Sequence, residues 1–257
     1  MEYIIIPIVA LLASALTFFS GFGLGTILLP AFGLFFPIEI AIALTAIVHF
    51  LNNIFKLGLV FKNIDKKVVL GFGVPALLFS FLGAKTLQHL NFPYNFIKYQ
   101  IGENVFETNM VKLIIAVVFL FFALFELIPK LKNLEFDKKY VMLGGILSGF
   151  FGGLSGHQGA LRSAFLTKVG LSKEAFIATG VAIACLIDLS RLSVYSRQIT
   201  QYHNQIDFNL IVIATLSAFV GVYFGTKWVK KVTIATIQNI VAVMLILFAV
   251  VLGMGII

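Results

Sequence analysis

Residues 149 to 165 read GFFGGLSGHQGALRSAF, which sets a histidine, a glutamine and an arginine among five glycines. Those residue types in that spacing suit an anion. A guanidinium offers an oxyanion a planar, bidentate fork, and glycines let backbone N–H groups approach a ligand closely. A helix opening at Gly159 adds unpaired N–H groups and a partial positive charge at its first turn. His157 and Gln158 then stand at the turn, with Arg162 one turn into the helix.

Two further stretches hold polar side chains inside apolar sequence. In 38–61, His49, Asn52, Asn53 and Lys56 recur at i, i+3, i+4 and i+7, so they share one helical face about 100° wide. In 174–195, Asp188 and Arg191 stand at i and i+3 and are able to pair. The turn GFGLG at 21–25, with Gly23 and Gly25, repeats the glycine signal without the polar side chains. Each feature also has a plainer reading: Lys56 and Arg191 snorkelling to headgroups, Asn52 and Asn53 as interhelical glue, His49 as a satisfied core residue, the glycines as packing sites. Packing alone does not explain Arg162.

The elements that must position these residues follow from composition. The chain has 257 residues, 60% hydrophobic and 12% charged, too apolar for a soluble domain of this size. Residues 3–20, 38–61, 68–88, 110–129, 174–195, 206–226 and 232–257 are nearly uncharged, and each approaches the roughly 20 residues of a bilayer-crossing helix. The fold expected is an all-α polytopic membrane protein. The net charge of +8 comes from short clusters between apolar runs, which marks membrane topology and argues against nucleic acid. Cys185 is the single cysteine, which rules out a disulfide within the chain and a cysteine metal framework. Paired catalytic carboxylates, HExxH and a nucleotide-phosphate loop are absent from the sequence, and no cofactor is expected. The N-terminal run reads as a first membrane helix rather than a cleaved signal peptide. Pro75 is expected to kink its helix.

Two apolar pieces, 24–36 and 157–170, are too short to span and follow the two glycine turns. Shifting the first half by 134 residues brings Gly25 onto Gly159, Ala41 onto Ala175 and Thr45 onto Thr179, and a slightly larger shift brings GAK (83–85) onto GTK (225–227). The order long, short, long, long, long occurs twice, giving repeat 1 over 1–129, a linker at 130–138 and repeat 2 over 139–257. If the chain changes sides at every element, twelve loop cations collect on one side and four on the other, so the first side is cytoplasmic and both termini face outward. Spanning elements and re-entrant hairpins give the same parity. Each half crosses an odd number of times, so the halves are inverted. Residues 88–109 form the longest external loop.

The paired motifs GFGLGTILLP, AIALTA, GGLSGHQGALRSAF and AFIATGVA resemble those of the sulfite exporter TauE/SafE family across essentially the whole chain. The resemblance implies a carrier of the bacterial inner membrane that moves sulfite, organosulfonates or other small sulfur-containing anions. The second glycine turn departs from the family's Gly-rich pattern by reading GHQG.

The function expected is thus a secondary transporter of a small sulfur oxyanion, working by alternating access. Candidate substrate contacts are Gly23, Gly25, Asn52, Asn53, His157, Gln158, Gly159, Arg162 and Arg191, with His49, Lys56 and Asp188 for coupling or gating. A proton or Na⁺ could couple to the anion; His49 and His157 are the proton candidates. The partners expected are the anion and the lipid bilayer, with homo-oligomerisation left open. A membrane-embedded enzyme using His157 as base and a channel are the alternatives.

Overall fold

The computed structural model describes the chain apart from residues 18–22, 91–94, 203–205 and 229–233, and apart from the side chains of 95, 96, 132, 198, 226–228 and 234. Gly21, Lys230 and Lys231, which entered the expectations above, lie outside the described residues, as does the side chain of Lys227.

Among the described residues, ten principal helices follow the expected order. They are α1 (Glu2–Thr17), the short α2 (Leu24–Gly33), α3 (Ile38–Val60), α4 (Lys66–Leu90) and α5 (Met110–Leu127), then α6 (Val141–Ser155), the short α7 (Gly159–Leu166), α8 (Lys173–Gln201), α9 (Phe208–Trp228) and α10 (Ile234–Gly253). Six of them are long and apolar enough to cross a membrane. At 1.5 Å per residue α2 and α7 reach only about 15 and 12 Å, well short of a bilayer core of about 30 Å. Both short helices end sooner than the apolar runs that announced them, because Leu34–Phe36 and Thr167–Val169 tighten into turns.

Glycines set the closest helix contacts. On α6, Gly145, Gly149 and Gly153 lie directly against the carbonyls of Phe72, Ala76 and Ser80 on α4, where any side chain would collide with backbone. On α9, Gly221 and Gly225 press in the same way on Leu11 and Ala15 of α1. Gly83 of α4 likewise meets Phe150, so the glycines of the GAK and GTK matches do the same work at the two interfaces. Small residues permit this approach where lipid offers no hydrophobic drive to associate.

These contacts fix directions. α1 runs parallel to α9, and α4 runs parallel to α6. α3 is antiparallel to α8, because His49 meets Asp188 while the Asp65 N–H just beyond α3 bonds the Thr179 hydroxyl at 2.9 Å. α5 is antiparallel to α10, since Phe119 packs on Phe248 and Ala116 sits by Gly253. All four agree with a chain that reverses at every helix.

Two local features differ from expectation. Residues 88–109 carry a β-hairpin, β1 (Asn95–Ile101) paired antiparallel with β2 (Asn104–Asn109), turning at Gly102 and docked through the Tyr99 hydroxyl, which donates to the Met254 carbonyl at 2.6 Å. The linker is also docked: the Phe136 N–H bonds the Ala164 carbonyl at 3.0 Å, and its ring stacks on Phe165 at 4.2 Å. Before Pro75, α4 takes a π-helical turn at Val69–Gly73, the local adjustment expected where proline removes a donor.

Candidate functional site

Each short helix packs on the helix before it, and each is preceded at the tip by a left-handed glycine among the described residues, Gly23 at φ 111° just before α2 and Gly156 at φ 83° at the end of α6. Only glycine takes that conformation without a side-chain penalty. The first tip places Gly25 against the His49 ring, near the middle of α3. The second tip brings Gln158 to Asp188, near the middle of α8. The tips thus meet the long helices at mid-length, where α3 and α8 cross.

Asp188 is the hub. It is fully buried, and its two oxygens divide the neighbours between them. Oδ2 lies 2.6 Å from His49 Nδ1 and 3.4 Å from Asn53 Nδ2. Oδ1 accepts from Arg191 Nε at 3.0 Å and from Gln158 Nε2 at 3.5 Å, with Arg191 Nη2 at 2.8 Å. Arg162 Nη1 in turn donates to Gln158 Oε1 at 3.1 Å, so two guanidinium groups are tied to one carboxylate, one directly and one through an amide. Arg162 also lies against Gly180 on α8. An unpaired charge in such surroundings would cost several kcal/mol, of the order of ~3–5 kcal/mol when one partner of a buried pair is removed.

The snorkelling reading of the basic residues does not survive. Arg191 is 1% exposed and Lys56 5%, so both are held inside the helix bundle. Lys56 follows Asn53 by one turn on the same buried face of α3. The polar groups are incompletely matched: Nη1 of Arg191 and Nδ2 of Asn52 find no hydrogen-bond acceptor among the described residues. Nη1 of Arg191 points to the second tip, 2.8 Å from where a methyl group on Gly156 would lie.

Not every sequence candidate joins this cluster. The side chain of Asn52 turns to α1, where its Oδ1 accepts from Ser14 at 3.2 Å. His157 turns away from Gln158, its ring packing at 4.5 and 5.4 Å from the rings of Phe119 and Phe122 on α5. Gly23 abuts Thr17 and Val241, and Gly159 opens α7 and borders the same small cavity as His157. His49, which has no evident partner in the sequence, is held by Asp188.

Sequence reasoning missed three buried residues here. Ser14 and Ser148 stand 134 apart, the repeat offset, and Ser148 braces the second tip by donating to the Gln158 carbonyl at 2.9 Å. Glu126, 3% exposed near the end of α5, was hidden in a run read as nearly uncharged, although it is the sole acidic residue of 110–129.

The model of the family described as Sulfite exporter TauE/SafE matches residues 6–252. The chain belongs to that family. The match takes in all ten helices and both hairpin tips, so the chain is a multi-pass membrane protein of a transporter family. Comparison with curated proteins and with solved structures gave no match.

Proposed function

We propose that this member of the sulfite exporter family is a secondary carrier that binds a small sulfur oxyanion or organosulfonate between the two hairpin tips and moves it by alternating access. The observation that carries the reading is the Arg191 guanidinium: it is buried to 1% exposure, paired to Asp188 on one edge, and its Nη1, facing the Gly156 turn, has no acceptor among the described residues. A buried N–H donor without a partner costs about 1–3 kcal/mol, and an oxyanion at the tip relieves that cost. Arg162, tethered through Gln158, supplies a second planar cation, and the opening N–H groups of α7 add their dipole. Asn53 and Lys56 line the α3 side, and Gly25 and Gly156 keep the backbone close to His49 and Arg191. Asp188 is the gate: it competes with the anion for both guanidinium groups. His49 reports on that competition through its bond to Asp188.

Two inverted repeats, 1–129 and 139–257, give this arrangement its transport logic. The equivalent helices α3 and α8 are antiparallel, as are α5 and α10, and the α1–α9 and α4–α6 interfaces exchange under the repeat. A site at the repeat interface opens to either side as one repeat rocks on the other. With the cationic loops inside, both termini face outward and the site lies in a bacterial inner membrane.

Arginine variants test the site. Arg162→Lys keeps the charge and loses the fork, so sulfite affinity is expected to fall; Arg162→Ala is expected to lose about 1.5–3 kcal/mol of binding, the worth of a charged hydrogen bond. Sulfite binding to purified Arg162→Ala with parental affinity would move the site elsewhere.

A further inference from the structure

Two buried histidines lie near the tips, and only one has a ring nitrogen open to a proton. His49 is engaged at Nδ1 by Asp188 at 2.6 Å and at Nε2 by the Asn53 amide, Nδ2, at 3.3 Å. His157 differs. Its Nδ1 lies 3.3 Å from the Ser155 carbonyl oxygen, which only accepts, so Nδ1 of the neutral ring carries the hydrogen and Nε2 keeps the lone pair. Nε2 is buried and meets no partner among the described residues, and Phe119 and Phe122 fix the ring's orientation.

His157 borders a small, partly enclosed space shared with Thr26, Phe122, Glu126, Gly159 and Ala160, with an internal volume of about 10 Å³. That is room for about one water. Glu126 also borders a second, larger chamber of about 390 Å³, polar and partly open, which it shares with Asn133, Glu135, Ser163, Thr167 and Gln238. Glu126 therefore stands in the wall between the polar chamber and the space beside His157.

We propose that Glu126 and His157 form a one-water proton relay from this chamber to the second hairpin tip, so that a proton travels with the anion. The proposal rests on the carrier reading above. In the relay, protonated Glu126 gives its proton to the water while the water gives one of its own to Nε2 of His157, and Glu126 is reprotonated from the chamber. The dimensions choose the cargo: one water fits beside His157 and a sulfur oxyanion does not, and a carboxylate in the wall repels anions.

Among the described residues, the charged groups near the relay are Arg191 on α8 and Glu135 of the linker, itself paired with Lys168 at 3.7 Å, while Arg162 on α7 is turned to Gln158. From α2 and α10 the two spaces are lined by Thr26, Gln238, Val241 and Leu245, none of which titrates. An imidazolium at the tip is repelled by Arg191 until an anion arrives, and the anion is held better once the imidazolium has formed. Such coupling is reciprocal, so proton and anion cross in the same direction.

Proteoliposomes loaded with sulfite provide the test, because exchange of labelled for unlabelled sulfite needs no net proton movement whereas accumulation from an acidic outer compartment does. The parent protein is expected to do both. Glu126→Gln is expected to keep exchange within about twofold and to lose gradient-driven accumulation by about tenfold or more. Accumulation at the parental level in Glu126→Gln overturns the relay, as does loss of both activities in a folded variant. A parent that exchanges sulfite yet ignores the pH gradient overturns the relay and leaves the carrier reading standing. A parent that moves no sulfite at all refutes the carrier reading. In that event Glu126→Cys still decides the relay: the thiol is expected to react with a small water-soluble reagent applied from the chamber side, and an inert thiol overturns the proposal.

Discussion

Replacing Asp188 by asparagine keeps the shape of the side chain and removes its charge. In the parent, one carboxylate serves His49 at 2.6 Å and Arg191 at 2.8 and 3.0 Å, all of them buried. At an effective dielectric constant of about 20, a unit-charge pair about 4 Å apart interacts by about 4 kcal/mol. Breaking a buried pair by removing one partner typically costs about 3–5 kcal/mol, because the remaining charge has nowhere to go. Asparagine still accepts one hydrogen bond through Oδ1, so Asp188→Asn is expected near the lower end, about 3 kcal/mol. Arg191→Met should cost less, because the Asp188 carboxylate it leaves behind keeps its contacts with His49, Asn53 and Gln158. The double variant Asp188→Asn/Arg191→Met should recover about 2 kcal/mol relative to the sum of the singles, within the range seen for coupled neighbours. Denaturant titration of the detergent-solubilised protein, followed by far-ultraviolet circular dichroism, gives all three values. Parental stability in Asp188→Asn, or additivity of the two singles, would refute the assignment of Asp188 as the hub.

The two glycine tips separate cleanly. Gly156→Ala forces a side chain into a left-handed turn and against Arg191, and should destabilise by about 1–3 kcal/mol, whereas Gly25→Ala meets His49 only at ordinary contact distance and should be near neutral in the same titration. The sidedness rests on loop cations, so Asn133→Cys is expected to react with an impermeant thiol reagent only from the cytoplasmic face; labelling from outside alone would invert the topology.

Much of this architecture could be read from sequence because a bilayer forces long apolar helices, and the two short runs after glycine turns stood out against that length. The residues His49, Asn53, Asp188 and Arg191 announced themselves as polar groups where lipid penalises them. What sequence could not supply was direction around each helix. Adjacent residues His157 and Gln158 part company at the tip because the left-handed turn at Gly156 sends one side chain to α5 and the other to α8. Asn52 and Asn53, also adjacent, divide between Ser14 and the Asp188 cluster for the simpler reason that consecutive helical residues point about 100° apart. Glu126 escaped notice because it is the next-to-last residue of its helix, shortly before Pro129, where an acidic residue ordinarily reads as a solvated terminus. It shares its chamber with the docked linker and with α7 and α10 from the other half of the chain, a grouping that only the fold brings about.

The central claim is that a small sulfur oxyanion is carried through a site built on Arg191 and Arg162, and counterflow of labelled sulfite in proteoliposomes tests it most directly. Internal unlabelled sulfite should drive a transient overshoot of external label that saturates with concentration, and Arg191→Met and Arg162→Ala should each abolish it while remaining folded. Label entry that neither saturates nor responds to internal sulfite, or an overshoot unchanged in both arginine variants, would contradict the account.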